Sequence, residues 1–144
     1  MKARVTWVEG MTFLGESGSN NAVVMDASPA NGGKGIGASP MELLLLGTGG
    51  CTGIDVVSIL KKMRQKVTGC SVELEGERPD EHPKVFTGIT MRFIVEGHGL
   101  DRAKVERAVQ LSAEQYCSAS IMMGKTAEIR REVVIREADG GTAG

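Results

Sequence analysis

The stretch Ser39-Pro-Met-Glu-Leu-Leu-Leu-Leu-Gly-Thr-Gly-Gly-Cys51-Thr-Gly-Ile-Asp-Val-Val-Ser-Ile-Leu-Lys-Lys-Met-Arg64 decides how the rest of this chain is read. Ser39 is a good helix N-cap, Pro40 suits the first turn, and Glu42 stands at capping-box spacing from Ser39. Leu43, Leu46 or Gly47, Gly50, Ile54, Val57 and Leu60 recur at helical intervals. Lys61, Lys62 and Arg64 place positive charge where a helix dipole is negative. The pattern predicts a helix over 39–64. Its first half, to about Val57, carries apolar or small residues on almost every face and should be buried nearly all round. Gly49 and Gly50 each weaken such a helix by roughly 1 kcal/mol relative to Ala. That loss is tolerated where another backbone or a small ligand comes close. Cys51 lies beside this gap.

Outward from the helix, the chain reads as short strands on one side and a mixture on the other. Ala3, Val5 and Trp7 alternate with Lys2, Arg4 and Thr6, the period-two pattern of a half-buried strand. Thr12–Glu16 and 22–26 supply two more extended runs, and the glycine-rich segment 28–37 is a loop by composition. After the helix, Cys70, Val72 and Leu74 alternate, and Val85, Thr87, Ile89, Met91, Phe93 and Val95 continue the pattern over a long strand. Asp101 caps a second helix bearing Val105, Val109, Ala113 and Tyr116 on one face. A short helical piece at 118–123 ends at Gly124, and Ala127, Ile129, Val133 and Ile135 mark a last strand. The order β-β-β-α-β-β-α-β is an α+β arrangement, one domain over 1–138 with a flexible tail at 139–144.

Composition narrows the function. The 144 residues carry a net charge of -1 with acids and bases interspersed, so no basic stripe points to nucleic acid. Unbroken apolar runs such as Leu43–Leu46 fall far short of the roughly 20 residues of a membrane span. The N-terminal residues lack the apolar segment of a signal peptide, and three cysteines are too few for a disulfide scaffold. A cytoplasmic protein without a membrane partner is expected. In a reducing compartment, a Cys51–Cys117 bond would be transient and catalytic or sensory.

Cys51 and Cys117 each have a plain reading as small core residues, since free Cys is among the most buried residue types. Together they point to redox chemistry, because each sits at a break in otherwise regular helical patterning. Ser118, Ser120, Thr48 and Thr52 are candidate hydrogen-bond donors to a thiolate, but no Arg or Lys adjoins Cys51. Cys70 falls on a strand's apolar face and reads as core. His82 and His98 match no metal-ligand spacing, and without a Cys-x-x-Cys pair neither metal nor cofactor is expected. The loop Gly32-Gly-Lys-Gly-Ile-Gly37 lacks the Ser or Thr that comes after a phosphate-loop lysine. It also lacks the βαβ setting of a dinucleotide fingerprint, and so reads as a flexible loop. Glu42 is a helix cap or an active-site acid. Lys34, the only basic residue between Arg4 and Lys61, is the local candidate for a cation reaching Cys51.

The run Ser39-Pro-Met-Glu-Leu-Leu-Leu-Leu-Gly-Thr-Gly-Gly-Cys51-Thr, together with the later Tyr116-Cys-Ser-Ala-Ser-Ile-Met-Met-Gly-Lys125, resembles the OsmC/Ohr family of osmotically inducible and organic-hydroperoxide-resistance proteins. The resemblance implies an intertwined α+β homodimer, two long central helices wrapped by antiparallel sheets, with the cysteine pairs at the subunit interface. It implies that Cys51 is the peroxidatic thiol of an organic hydroperoxide reductase and that Cys117 resolves its sulfenic acid as a disulfide. A small dithiol, such as the lipoyl group of a carrier protein, would re-reduce it. Ohr-type members have Glu directly after the helix-opening Pro, where Met41 stands here, and an activating Arg from the N-terminal region, where this chain has only Arg4. Those departures resemble the OsmC-like branch and leave Glu42 and Lys34 as substitute polar partners. The competing function is a non-enzymatic small-ligand-binding or redox-sensing stress protein.

Overall fold

The computed structural model describes residues 1–138; the tail expected at 139–144 lies outside the described residues. Helices and two three-stranded sheets make an α+β fold, with strand orders β1-β2-β3 and β4-β5-β6. Contacts divide the chain into two compact units, Met1–Leu46 and Gly47 onward.

In the first unit, β1 (Ala3–Glu9), β2 (Thr12–Ser17) and β3 (Ala22–Met25) form an antiparallel meander. The alternation in β1 marks an apolar face, as expected, but the strand is exposed along its whole length among the described residues, with Val5 at 60% and Trp7 at 64%. Half-burial therefore does not occur within this chain's own fold. The glycine-rich loop also departs from expectation. Asp26, only 2% exposed, accepts hydrogen bonds from the amides of Ala27 at 2.8 Å, Lys34 at 3.0 Å and Ile36 at 3.3 Å. A side chain at Gly33 would run into the Ala27 carbonyl, and Gly35 takes a left-handed φ of 65°. The loop is wound around an internal carboxylate rather than free.

The long helix, α1, spans Pro40–Lys62. Its start is the expected capping box: the Ser39 amide donates to Glu42 Oε1 at 2.9 Å, and the Glu42 amide donates to Ser39 Oγ at 3.2 Å. The Ser39 amide first and the Ser39 hydroxyl second hold the Glu42 carboxyl below its ordinary pKa. Burial nearly all round is corrected: Leu46 is 61% and Ile54 73% exposed, while Thr48, Gly49, Thr52, Val56 and Leu60 are buried. The expectation that no segment reaches membrane length is corrected too. By length and a mean hydropathy of 1.8, α1 fits a membrane-crossing helix, since glycine and threonine extend the apolar stretch beyond its leucines. On its buried side Gly49 lies against Leu74, and Thr52 bonds to another segment of the second unit.

That unit also holds β4 (Lys66–Glu77), β5 (Gly88–His98), α2 (Arg102–Leu111), a π-helical turn (Ser112–Tyr116), α3 (Ser118–Met123) and β6 (Glu128–Glu137). β4 and β5 pair antiparallel, but β6 runs parallel to β5, correcting the expectation of purely antiparallel sheets. A parallel neighbour needs a long crossover, and the helical segment between His98 and Glu128 provides it. Ile89, Met91, Phe93 and Val95 of the central strand β5 are buried, as are Val56 and Leu60 of α1 and Val105, Ala108 and Val109 of α2.

Candidate functional site

α1 and the crossover bring the two cysteines together. Cys51 and Asp55 stand four residues apart on α1, which puts both on one face of the helix. Cys117 enters from the junction between the π-turn and α3. Its amide donates to the Ser112 carbonyl at 2.8 Å, the bond that closes the π-turn. The extra residue in such a turn re-aims the chain beyond it. Here it sets Cys117 in extended geometry as the N-cap of α3, its Sγ accepting the Ser120 amide at 3.3 Å. The Cys51 and Cys117 sulfurs and an Asp55 carboxylate oxygen all lie within 4.8 Å of one another.

A chain of hydroxyls supports the carboxylate. Ser112 Oγ donates to Asp55 Oδ2 at 2.9 Å and stands 2.9 Å from Thr52 Oγ1. With the Ser112 hydroxyl hydrogen directed at Asp55, the Thr52 hydroxyl is the donor to Ser112. Burial pushes the Cys117 thiol up. Its bonds from the Ser120 side chain and amide pull the other way, and the adjoining Cys51 adds to the rise. Cys117 is fully buried and stays a protonated thiol; Cys51 is partly exposed. Arg131 of β6 brings a cation. Burial lowers the pKa of its guanidinium, electrostatic interaction with Cys117 opposes that shift, and its Nε is buried without a hydrogen-bond partner among the described residues. Arg131 also lines a groove of about 570 Å³ with Arg102, Glu106, Gln110 and Glu114.

Of the residues expected at the site, the fold joins Cys51 and Cys117. Cys70 lies on β4 outside this cluster, where burial raises its thiol pKa. Glu42 is engaged in the α1 capping box, and Lys34 Nζ pairs with Glu9 at 3.1 Å on an exposed surface. Asp55, Ser112 and Arg131 were missed, although two of them left a trace. Asp55 is the one charged residue between Glu42 and Lys61, and Arg131 interrupts the apolar alternation Ile129, Val133, Ile135. Ser112 left none, because its role depends on a contact across 57 residues.

Comparison with known proteins agrees with this architecture. The profile of the OsmC-like protein family matches residues 32–132. Protein YhfA of Escherichia coli strain K12 is 53% identical over 129 residues, covering 90% of this chain and 93% of its own length. A crystal structure of a hypothetical protein from Aquifex aeolicus VF5 aligns with TM-score 0.84 at 29% identity, over 96% of this chain and 97% of that one. The organic hydroperoxide resistance protein OhrB of Bacillus subtilis shares the fold at TM-score 0.61 and 21% identity, over 93% and 98% of the two chains.

Proposed function

Because the chain belongs to the OsmC-like protein family, we propose that it is a thiol-dependent reductase of organic hydroperoxides acting through Cys51 and Cys117. The observation that carries this reading is the approach of the two sulfurs to within 4.8 Å of each other and of the Asp55 carboxylate. Asp55 takes the proton of the Cys51 thiol. The thiolate attacks the hydroperoxide ROOH, the O–O bond breaks, and the alkoxide leaves with the proton from Asp55 as ROH, so that Cys51 becomes a sulfenic acid. Cys117 arrives as a protonated thiol and condenses with that sulfenic acid, giving the Cys51–Cys117 disulfide and one water. A dithiol such as a lipoyl carrier then gives up two electrons and two protons, restoring both thiols and closing its own disulfide.

The assignment of Cys51 as the attacking thiol rests on exposure: it is partly open, whereas Cys117 is fully buried. The reaction belongs to a cytoplasmic protein, whose thiols are kept reduced. Residues 1–138 act as one domain of an intertwined homodimer, in which the bare apolar faces of β1 and α1 are covered by the second copy. Glu42 and Lys34 serve the two cysteines at most indirectly, since Ser39 and Glu9 engage them.

One observation favours a second reading, a redox sensor or small-ligand binder without turnover: the nearby cation, Arg131, interacts with the buried Cys117. Consumption of cumene hydroperoxide with a dithiol reductant, by wild type, Cys51→Ser and Cys117→Ser, separates the two. The enzyme reading expects activity in wild type and none above background in Cys51→Ser. Wild-type consumption at background, or a fully active Cys51→Ser protein, removes it in favour of the sensor.

A further inference from the structure

The same three side chains have a second chemistry. We propose that reduced Cys51, Asp55 and Cys117 form an open, three-ligand site for a thiophilic divalent cation of the zinc type. The inference uses the sulfurs of the peroxidase reading but not its reaction, so either can fail without the other.

Geometry comes first. Three atoms no more than 4.8 Å apart have a common centre no farther than about 2.8 Å from each, the longest separation divided by √3. Zinc bonds run about 2.3 Å to thiolate sulfur and about 2.0–2.2 Å to carboxylate oxygen. Closing that gap takes inward rotation of side chains by little more than half an ångström each. Two ligands are already fixed on one face of α1, and the third is set by the π-turn and its Ser120 amide. Charge comes second. Two thiolates and one carboxylate sum to three negative charges, and a divalent ion leaves one. The Arg131 guanidinium, electrostatically linked to Cys117 and lacking a partner at Nε among the described residues, balances that remainder.

The surroundings of the carboxylate fit the same purpose. Metal-ligating carboxylates are themselves hydrogen-bonded, which fixes their orientation. Ser112 holds Asp55 Oδ2 in this way, and Thr52 in turn holds Ser112. Among the described residues the cluster has three members, which leaves a fourth tetrahedral position for water or substrate, the composition of a catalytic rather than a structural zinc site. Two sulfur ligands select zinc-like ions over magnesium or calcium. Binding exchanges the two thiol protons for the cation, so two protons are released per ion bound by the fully protonated pair.

The test is titration of the reduced, anaerobic full-length protein with cobalt(II) alone, then displacement with zinc(II). The expected result is one cobalt per chain, near-ultraviolet thiolate-to-cobalt charge transfer, intense tetrahedral bands in the visible, and bleaching by one equivalent of zinc. Cys51→Ser and Cys117→Ser should each weaken binding by more than the roughly 100-fold that loss of a supporting residue can cost, and Ser112→Ala by about tenfold. Asp55→Asn should shift the visible bands and weaken binding, while Cys70→Ser changes nothing. Absence of charge transfer in wild type, which needs no variant to fold, overturns the proposal. So does a signal that persists in Cys51→Ser/Cys117→Ser. A spectrum and affinity unchanged in Asp55→Asn overturn the three-ligand site.

Discussion

Asp26 and Asp55 are both withdrawn from open solvent, and the molecule uses them in opposite ways. Burial would raise the pKa of Asp26, but the amides of Ile36, Lys34, Ala27 and Gly35 together outweigh that effect and hold it below the ordinary carboxylate value. Its oxygens are engaged by the glycine-rich loop, and the result is architecture. Asp55 receives a hydroxyl from Ser112, and its carboxylate also lies beside two thiols. A carboxylate saturated by backbone donors organises a loop; one turned towards thiols is, in the reaction we propose, placed for proton transfer. The same contrast explains why a loop whose glycines look built for an anion takes no phosphate in our reading: its amides already hold one of the chain's own.

The largest expected effect tests the Asp55 side of that contrast. Asp55→Asn keeps the shape and most of the hydrogen bonding but removes the base, so hydroperoxide turnover should fall by about 100-fold or more. Its melting temperature should stay close to that of wild type. A turnover within twofold of wild type would make Asp55 structural after all and erase the distinction. Asp26→Asn should behave conversely, losing several degrees of melting temperature by calorimetry. Gly33→Ala should share that loss, because its methyl group meets the Ala27 carbonyl rather than a side chain that can move aside.

Acid sharpens the Asp26 side. Because its folded pKa is depressed, the stability it contributes is complete above the unfolded value of about 4 and is lost as pH falls through the lower, folded value. Melting curves of wild type should therefore drop steeply below about pH 4, and those of Asp26→Asn less steeply over the same range. Parallel curves would show that the carboxylate's charge does not hold the loop.

Much of this was legible in the chain because it depends on local chemistry. Ser39 and Glu42 announced the start of α1, Asp101 capped α2 through the Ala103 amide at 2.9 Å, and the alternation from Ile89 to Val95 located the central strand. Cys51 and Cys117 were singled out by pattern breaks and by family resemblance, and the fold brings their sulfurs to within 4.8 Å. The features that escaped were non-local. The parallel pairing of β6 with β5 depends on a crossover whose direction no single segment encodes. Asp26 gathers amides eight and ten residues away, which composition records only as a glycine-rich loop. Arg131 was passed over because it interrupts a strand's apolar alternation, although such an interruption is itself the sign of a half-buried charge.

The smallest effect concerns two adjacent glycines, which the sequence treats alike and the fold does not. A methyl group on Gly49 would sit 2.6 Å from Leu74 Cδ1, so Gly49→Ala should cost about 1–3 kcal/mol through overpacking of α1 on β4. A methyl group on Gly50 meets nothing within 4 Å in this chain, and there helix propensity alone favours Ala by about 1 kcal/mol. Yet Gly50 shares an exposed face with Leu46 and Ile54 at helical spacing, and a small residue between large apolar ones is where another helix approaches closely. In the homodimer we propose, Gly50→Ala therefore forfeits its propensity gain and weakens association. Sedimentation should show more monomer at micromolar concentration, and the denaturant midpoint should not rise. A protein stabilised by about 1 kcal/mol with its association unchanged would show that this face of α1 meets no second copy, and the bare leucines would need another occupant.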